Sequence, residues 1–134
     1  MFNFNTTPRL VIGENRLQFL GRILSDLNVR NPLIVTGPNL VNTDIVIDAQ
    51  KWSWTEHVFY DLVQDPTTQN VIDCVEYGIS KDVDGVIGIG GGSSLDVAKV
   101  AAVLLKQETS LDKIWGVDNI YSSRLPLVLI PTTA

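Results

Sequence analysis

The sequence has few residues of several kinds, and each scarcity excludes a class of protein. It contains one cysteine, Cys74, in 134 residues, so it cannot form an internal disulfide, and we expect a reducing compartment. It also contains one histidine, His57. A lone histidine in a predicted strand is more often a packed or surface side chain than a metal ligand. We therefore expect no metal site in this chain.

Clusters of positive charge and long apolar runs are also absent. The 10 basic and 15 acidic residues give a formal net charge of −5. Because proteins bind phosphate backbones with clustered Lys and Arg, we expect no nucleic-acid partner. The longest apolar stretches, 125–131 and 100–105, are far shorter than the roughly 20 residues that span a bilayer. The first five residues also lack the features of a signal peptide. These absences predict a soluble, cytoplasmic protein with no membrane partner.

The apolar residues that are present follow an alternating strand and helix pattern. The hydrophobic content of 45% is ordinary for one globular domain. The pattern predicts strands at 8–12, 32–36, 54–60, 85–89 and 127–130, and helices at 15–27, 40–50, 65–79 and 93–106. Strands that are apolar on both faces and alternate with helices indicate a parallel sheet. The expected fold is α/β, a Rossmann-like parallel sheet with helices on both faces.

Unusual residues follow three of the predicted strands. These are Thr36-Gly37, the run 90–93, and Pro131 with the two threonines after it. Ligands of parallel sheets bind beyond the carboxyl ends of the strands. A backbone without Cβ atoms can approach a pyrophosphate closely, and a helix N-terminus offers N–H groups and a partial positive charge. The run 90–93 therefore predicts a phosphate-binding turn.

A purely structural interpretation of this turn also exists. Ser93 could cap the helix, with Asp96 completing a capping box, although a cap requires no run of three glycines. Two common phosphate motifs are excluded, because no lysine follows Gly92 as in a Walker loop, and Ser93 replaces the third glycine of the usual dinucleotide fingerprint. A different nucleotide-binding scheme is needed.

The run Gly-Gly-Gly-Ser-Ser-Leu-Asp-Val-Ala-Lys at 90–99, followed by Pro-Thr-Thr-Ala at 131–134, resembles the iron-containing alcohol dehydrogenase family. Ile12-Gly13 and the segments 33–36 and 65–67 agree as well. The resemblance implies that 1–134 is the N-terminal dinucleotide-binding domain. In the family an all-helical domain with the catalytic iron or zinc follows, and that domain is absent from this chain.

The family's enzymes use a divalent metal and NAD or NADP to interconvert an alcohol and an aldehyde or ketone. We expect the chain alone to carry no catalytic residue and to be inactive. The cofactor contacts that the resemblance implies are Gly91, Gly92, Ser93 and Ser94 at the pyrophosphate, Asp96 close by, Thr132 and Thr133 at the phosphate and nicotinamide half, Asp65, and Gly37 near the adenosine ribose. Two alternatives stay open: a stand-alone nucleotide-binding or regulatory module, and a structural fragment without a ligand.

Gly37 bears on the choice of cofactor. Family members that prefer NAD often have Asp there, which accepts hydrogen bonds from the ribose and repels a 2′-phosphate. Gly37 does neither, so NADP is allowed, and it is favoured if Lys51 or Arg30 can reach the site. The carboxylates of Asp44, Asp48 and Asp61 are expected to be solvated.

Two further patterns concern packing. Trp52 and Trp54 alternate as strand residues on one side of a sheet do, which predicts packing there rather than base stacking. The helix at 94–105 is apolar nearly all round, so we expect it to be buried on most sides. A missing domain or a partner subunit would cover it, which makes a homo-oligomer an expected state.

Overall fold

A computed structural model describes residues 9–62, 67–109 and 124–132. The strands are β1 (Arg9–Val11), β2 (Pro32–Val35), β3 (Val58–Phe59), β4 (Gly85–Gly90) and β5 (Leu127–Pro131). A 3-10 helix at Glu14–Phe19 leads into α1 (Leu20–Asp26), and the other helices are α2 (Asp44–Ser53), α3 (Thr68–Ser80) and α4 (Gly92–Thr109). No helix in the described ranges is both long and apolar enough to cross a membrane.

The five strands form one parallel sheet in the order β1-β5-β4-β2-β3. From β2 the chain first goes outward to β3, and it then returns past β2 to β4 and continues to β5. The strand order therefore reverses between β2 and β4, and a crevice opens at the carboxyl ends of such a pair. The predicted α/β fold is confirmed. The crevice lies at the carboxyl ends of β2 and β4.

Alternate strand residues point to opposite faces of the sheet, and each face has its own apolar cluster. One cluster places Leu33 and Val35 of β2 against α3 and α4. The other places Ile34 of the same strand against α1 and α2. Because both faces are covered, the central strands are apolar at every position, as parallel sheets require.

Helix α4 lies close to the sheet because glycine occupies the contact. A Cβ on Gly88 would be 2.7 Å from the Cβ of Ala98, closer than two carbon atoms can approach. A Cβ on Gly78 of α3 would lie 2.9 Å from Cδ2 of Leu105. These two glycines set how near α4 lies to β4 and to α3.

A carboxylate ties the amino ends of β2 and β4 together. Asp84 accepts hydrogen bonds from the backbone N–H groups of Arg30 at 2.9 Å and Asn31 at 2.8 Å. The Asn31 amide in turn donates to the carbonyl groups of Lys81 and Asp82. This network joins the end of α3 to the start of β2.

Three details of the predicted elements are wrong. Helix 15–27 begins as a 3-10 helix, with a non-helical φ of −118° at Arg16. The predicted strand 54–60 is reduced to β3, because α2 continues through Trp52 and ends at Trp54, whose φ is 55°. Trp54 is 79% exposed, so the two tryptophans do not share a sheet face. Helical spacing predicts Val71, Cys74, Val75 and Ile79 on the inward face of α3, but Ile79 is 44% exposed, and the buried position beside it belongs to Gly78.

The domain covers much of α4 by itself. Val97, Ala98, Ala101 and Leu105 are buried against the sheet and α3, as small side chains at helical spacing allow. Val100, on the outer side, is 45% exposed. The expectation that most of the helix surface needs a second domain or subunit therefore applies only to the stripe around Val100.

Candidate functional site

The carboxyl ends of three neighbouring strands bring the predicted site residues together. Val35 of β2 is paired with Gly88 of β4, and Gly90 is paired with Pro131 of β5. Just beyond the sheet, the N–H of Thr132 donates to the carbonyl of Gly90 at 3.0 Å. The predicted convergence of the three strand ends is confirmed.

The glycines of the turn have different roles. Gly90 has φ of +140°, and a Cβ there would lie 3.0 Å from Oγ of Ser94, so the fold itself requires glycine at this position. Gly91 and Gly92 are exposed, and a Cβ on either would meet nothing within 4 Å. The fold therefore leaves an open cradle over Gly91 and Gly92.

Helix α4 starts directly at this cradle. The N–H of Leu95 donates to the carbonyl of Gly91 at 3.0 Å, which makes Gly91 the residue before the helix and places Gly92 and Ser93 in its first turn. The N–H groups of a first helical turn point out of the helix end, where the helix dipole is positive. An anion seated over Gly91 and Gly92 would meet those groups.

The capping interpretation of the turn is wrong. Ser93 lies inside the first turn rather than before it, and Asp96 is an exposed side chain 3.7 Å from the Lys99 ammonium. A capping box is instead present at the start of α3, where Thr67 and Asn70 exchange hydrogen bonds. The three glycines are thus not explained by a helix cap.

Ser94 lies between the ends of β2 and β4. Its side chain is 8% exposed, and its Oγ is 3.7 Å from the position of a Cβ on Gly37. Thr36 beside it is fully buried, and its hydroxyl has no hydrogen-bond partner among the described residues. The backbone of Ser94 belongs to the first turn of α4, whereas its hydroxyl faces the Gly37 side of the crevice.

A cleft of about 390 Å³ opens on the other side of Gly37. It is lined by Pro38, Val58, Phe59, Tyr60, Asp61 and Tyr77. Tyr77 packs against Phe59, with ring centroids 5.9 Å apart. The Lys81 ammonium lies 5.6 Å from the centroid of the Tyr77 ring. The cleft therefore has aromatic walls close to the strand reversal.

Neither of the two bases proposed for a 2′-phosphate is near Gly37. Arg30 precedes β2 and lines a separate cleft of about 270 Å³ with Trp54. Lys51 is in the last turn of α2, 5.5 Å from the Trp52 ring. Because α2 runs back from the carboxyl edge of the sheet to the amino edge, both bases are at the wrong end. The condition under which NADP would be favoured, a base that reaches the site from Lys51 or Arg30, is therefore not met.

Asp65 and Thr133 lie outside the described residues. Within the described ranges no group of three or more His, Cys, Asp or Glu side chains could hold a metal ion.

The single histidine and the single cysteine have structural surroundings. The backbone carbonyl of His57 accepts a hydrogen bond from the N–H of Ile34, so the backbone of His57 is part of the sheet hydrogen bonding. Burial raises the pKa of the Cys74 thiol to about 12, which keeps it protonated and unreactive. Gly88 is not among the site residues predicted from the sequence. Its spacing of two residues from Gly90 indicates that both glycines belong to the same strand.

Comparisons with known proteins agree with this geometry. Residues 7–134 match the family model of iron-containing alcohol dehydrogenase. The chain is 30% identical to the sulfoacetaldehyde reductase of Bilophila wadsworthia over 133 residues, which are 96% of the chain and 34% of that protein. It is 32% identical to long-chain-alcohol dehydrogenase 1 of Geobacillus thermodenitrificans over 134 residues, which are 95% of the chain and 34% of that protein.

A solved structure gives the same result. The iron-containing alcohol dehydrogenase of Thermotoga maritima is 33% identical and superposes with a TM-score of 0.72, over 96% of this chain and 37% of that one. The chain thus spans about a third of the length of the relatives it matches. It belongs to the iron-containing alcohol dehydrogenase family.

Proposed function

We propose that this chain is the dinucleotide-binding domain of an iron-type alcohol dehydrogenase, which interconverts an alcohol and an aldehyde or ketone with NAD or NADP. One observation carries the proposal: Gly91 and Gly92 lie open at the N-terminus of α4 although the fold itself has room for side chains there. Glycine at positions that a fold does not restrict is expected where a ligand must touch the backbone.

The pyrophosphate would lie over Gly91 and Gly92 and accept hydrogen bonds from the first turn of α4, including the backbone of Ser93 and Ser94. Asp96, one turn further, is exposed and paired with Lys99, so we place it near the phosphates but not against them. Of the predicted contacts, Thr133 and Asp65 remain proposals on the family resemblance alone.

The two halves of the cofactor would extend in opposite directions from the turn. The adenosine half would pass Gly37 toward the cleft beside Pro38, whose aromatic walls suit a purine ring. The nicotinamide half would pass Thr132, at the end of β5. When bound, the nicotinamide supplies the hydride acceptor, and the residues of this domain hold and orient it.

The metal is proposed to belong to another part of the enzyme. Lewis-acid catalysis requires an ion held by several protein ligands with an open position, and the described residues offer no such group. The family's all-helical domain would supply it. The substrate would be a small-molecule alcohol or carbonyl compound, as the names of the relatives sulfoacetaldehyde reductase, long-chain-alcohol dehydrogenase 1 and NAD-dependent methanol dehydrogenase indicate for those proteins. We place the protein in the cytoplasm, with a homo-oligomer as its expected state.

A titration with NADH and NADPH tests the proposal. Saturable enhancement of the reduced nicotinamide fluorescence is expected for the parent chain, and Gly92→Val should abolish it while the thermal unfolding midpoint is unchanged. Gly13→Ala, in the loop after β1, is a control outside the turn. Failure of the parent chain to bind either dinucleotide would remove the proposed function.

A further inference from the structure

We propose that Asp61 recognises the adenosine ribose of the cofactor and makes this site prefer NAD to NADP. The proposal rests on the proposed function, since it names the residue that selects the cofactor within that site. From the sequence alone, the carboxylate of Asp61 is expected to be solvated, because it is one of several scattered acidic side chains. Its position in the sheet indicates a different role.

The register of β2 and β3 leads toward Gly37 and Asp61, which follow the paired ends of these two strands. Val35 of β2 is paired with Phe59 of β3, and the next N–H, that of Thr36, donates to the Phe59 carbonyl at 3.0 Å. Two residues further along both segments are Gly37 and Asp61. Neighbouring strands are about 4.8 Å apart. If the same spacing continued for these two residues, the carboxylate of Asp61 would start one strand away from the position of the side chain that Gly37 lacks.

The cleft supports the same placement. Pro38, which follows Gly37, and Asp61 both line one cleft of about 390 Å³. A ribose that leaves the pyrophosphate turn between β2 and β4 and continues into this cleft would come close to both residues. Ribose hydroxyls donate strong hydrogen bonds to a carboxylate, and this is how parallel α/β sheets commonly bind NAD.

The carboxylate of Asp61 is available for this contact. It is exposed, and no hydrogen bond or ion pair engages its side chain within the part of the chain that the structure describes. Its backbone is held in place, because the carbonyl of Asp61 accepts from the Asn70 amide at 3.2 Å. Asn70 itself is fixed by the capping box of α3. The backbone of Asp61 is therefore held in place while its carboxylate is free to accept hydrogen bonds.

The surrounding charges disfavour a 2′-phosphate. The described segments that follow β2, β3 and β4, namely 36–43, 60–62 and 91–98, contain no Lys or Arg. A 2′-phosphate carries roughly −1.5 to −2 charges at neutral pH and would face Asp61 without a compensating base on these segments. One base is near the cleft, since the Lys81 ammonium is 5.6 Å from the centroid of the Tyr77 ring, but Lys81 follows the end of α3 that is directed toward the amino edge of the sheet. The expected preference is for NADH.

The test measures dissociation constants of NADH and NADPH for the parent chain and three variants. Asp61→Asn keeps the size of the side chain and removes its charge, so we expect at least a tenfold loss in the preference for NADH. Asp44→Asn removes the same charge from an exposed residue at the same edge of the sheet, and it should leave the preference unchanged. Competition by 5′-AMP and by adenosine 2′,5′-bisphosphate isolates the ribose contact from the nicotinamide half.

The third variant removes the carboxylate of residue 61, after β3, and introduces one at residue 37, after the neighbouring strand β2. In the Asp61→Asn background, Gly37→Asp should restore the preference for NADH, because a Cβ at residue 37 lies at an ordinary 3.7 Å from Ser94 Oγ. Unfolding midpoints equal to that of the parent would exclude a folding defect. A parent chain that binds both dinucleotides equally, or an Asp61→Asn variant with an unchanged preference, would overturn the role of Asp61 and leave the proposed function standing. A parent chain that binds neither dinucleotide would remove both proposals.

Discussion

Substitutions of the glycines in β4 and in the turn after it should affect stability and cofactor binding separately. A substitution in β4 should lower stability, and one in the turn should weaken binding. Gly88→Ala places a Cβ 2.7 Å from the Cβ of Ala98 and 3.2 Å from Cδ2 of Leu129, so α4 must move away from the sheet. Overpacking of this kind costs about 1–3 kcal/mol. For a domain of this size each kcal/mol lowers the unfolding midpoint by about 4 °C.

Gly92→Ala should have the opposite profile. A Cβ there meets nothing within 4 Å, and alanine is the better helix residue by up to about 1 kcal/mol. The unfolding midpoint should therefore stay the same or rise slightly. The new methyl group stands where the pyrophosphate must approach. Loss of one charge-assisted hydrogen bond, worth about 1.5–3 kcal/mol, weakens binding roughly 10- to 100-fold.

Two measurements on each variant show whether the substituted glycine is required for stability or for cofactor binding. Thermal unfolding followed by circular dichroism reports stability, and fluorescence titration with NADH reports binding. The Gly92→Ala and Gly92→Val pair should show binding that weakens with side-chain size at constant stability. Binding of NADH by Gly92→Val as tight as that of the parent, or a much lower unfolding temperature of Gly92→Ala, would show that the open glycines are not the phosphate site.

Three further predictions follow from the described contacts. Asp84→Ala should destabilise the domain by about 1–3 kcal/mol, since the N–H groups of Arg30 and Asn31 lose their acceptor; urea unfolding measures this, and an unchanged midpoint would contradict it. The pKa of buried Cys74 is raised from 9.0 to about 12, so between these values the folded state keeps a proton that the unfolded state loses, and stability should fall as pH rises. Denaturation of parent and Cys74→Ala at pH 8 and pH 10.5 checks that slope, which the variant should lack. The chain alone should bind NADH yet oxidise no primary alcohol with added iron or zinc, and chelator-sensitive turnover would show that catalytic ligands had been misplaced.

Much of the fold could be predicted from the sequence, because its elements depend on local pattern. The apolar runs at 32–36 and 85–89 identified β2 and β4, since strands buried on both faces have no polar positions. The run 90–93 predicted a phosphate-binding turn for an equally local reason, namely that closely spaced glycines expose the backbone. Family resemblance then supplied the type of ligand.

Other features depended on which strands are neighbours, and a linear pattern does not contain that information. The sequence alone could not show that Arg30 and Lys51 lie at the amino edge of the sheet, or that Pro38 and Asp61 line one cleft. It also could not distinguish Gly88 and Gly90, which the fold requires, from Gly91 and Gly92, which it leaves open. That distinction depends on the distance to Ala98 and Ser94, side chains of a helix that only tertiary packing brings against the strand.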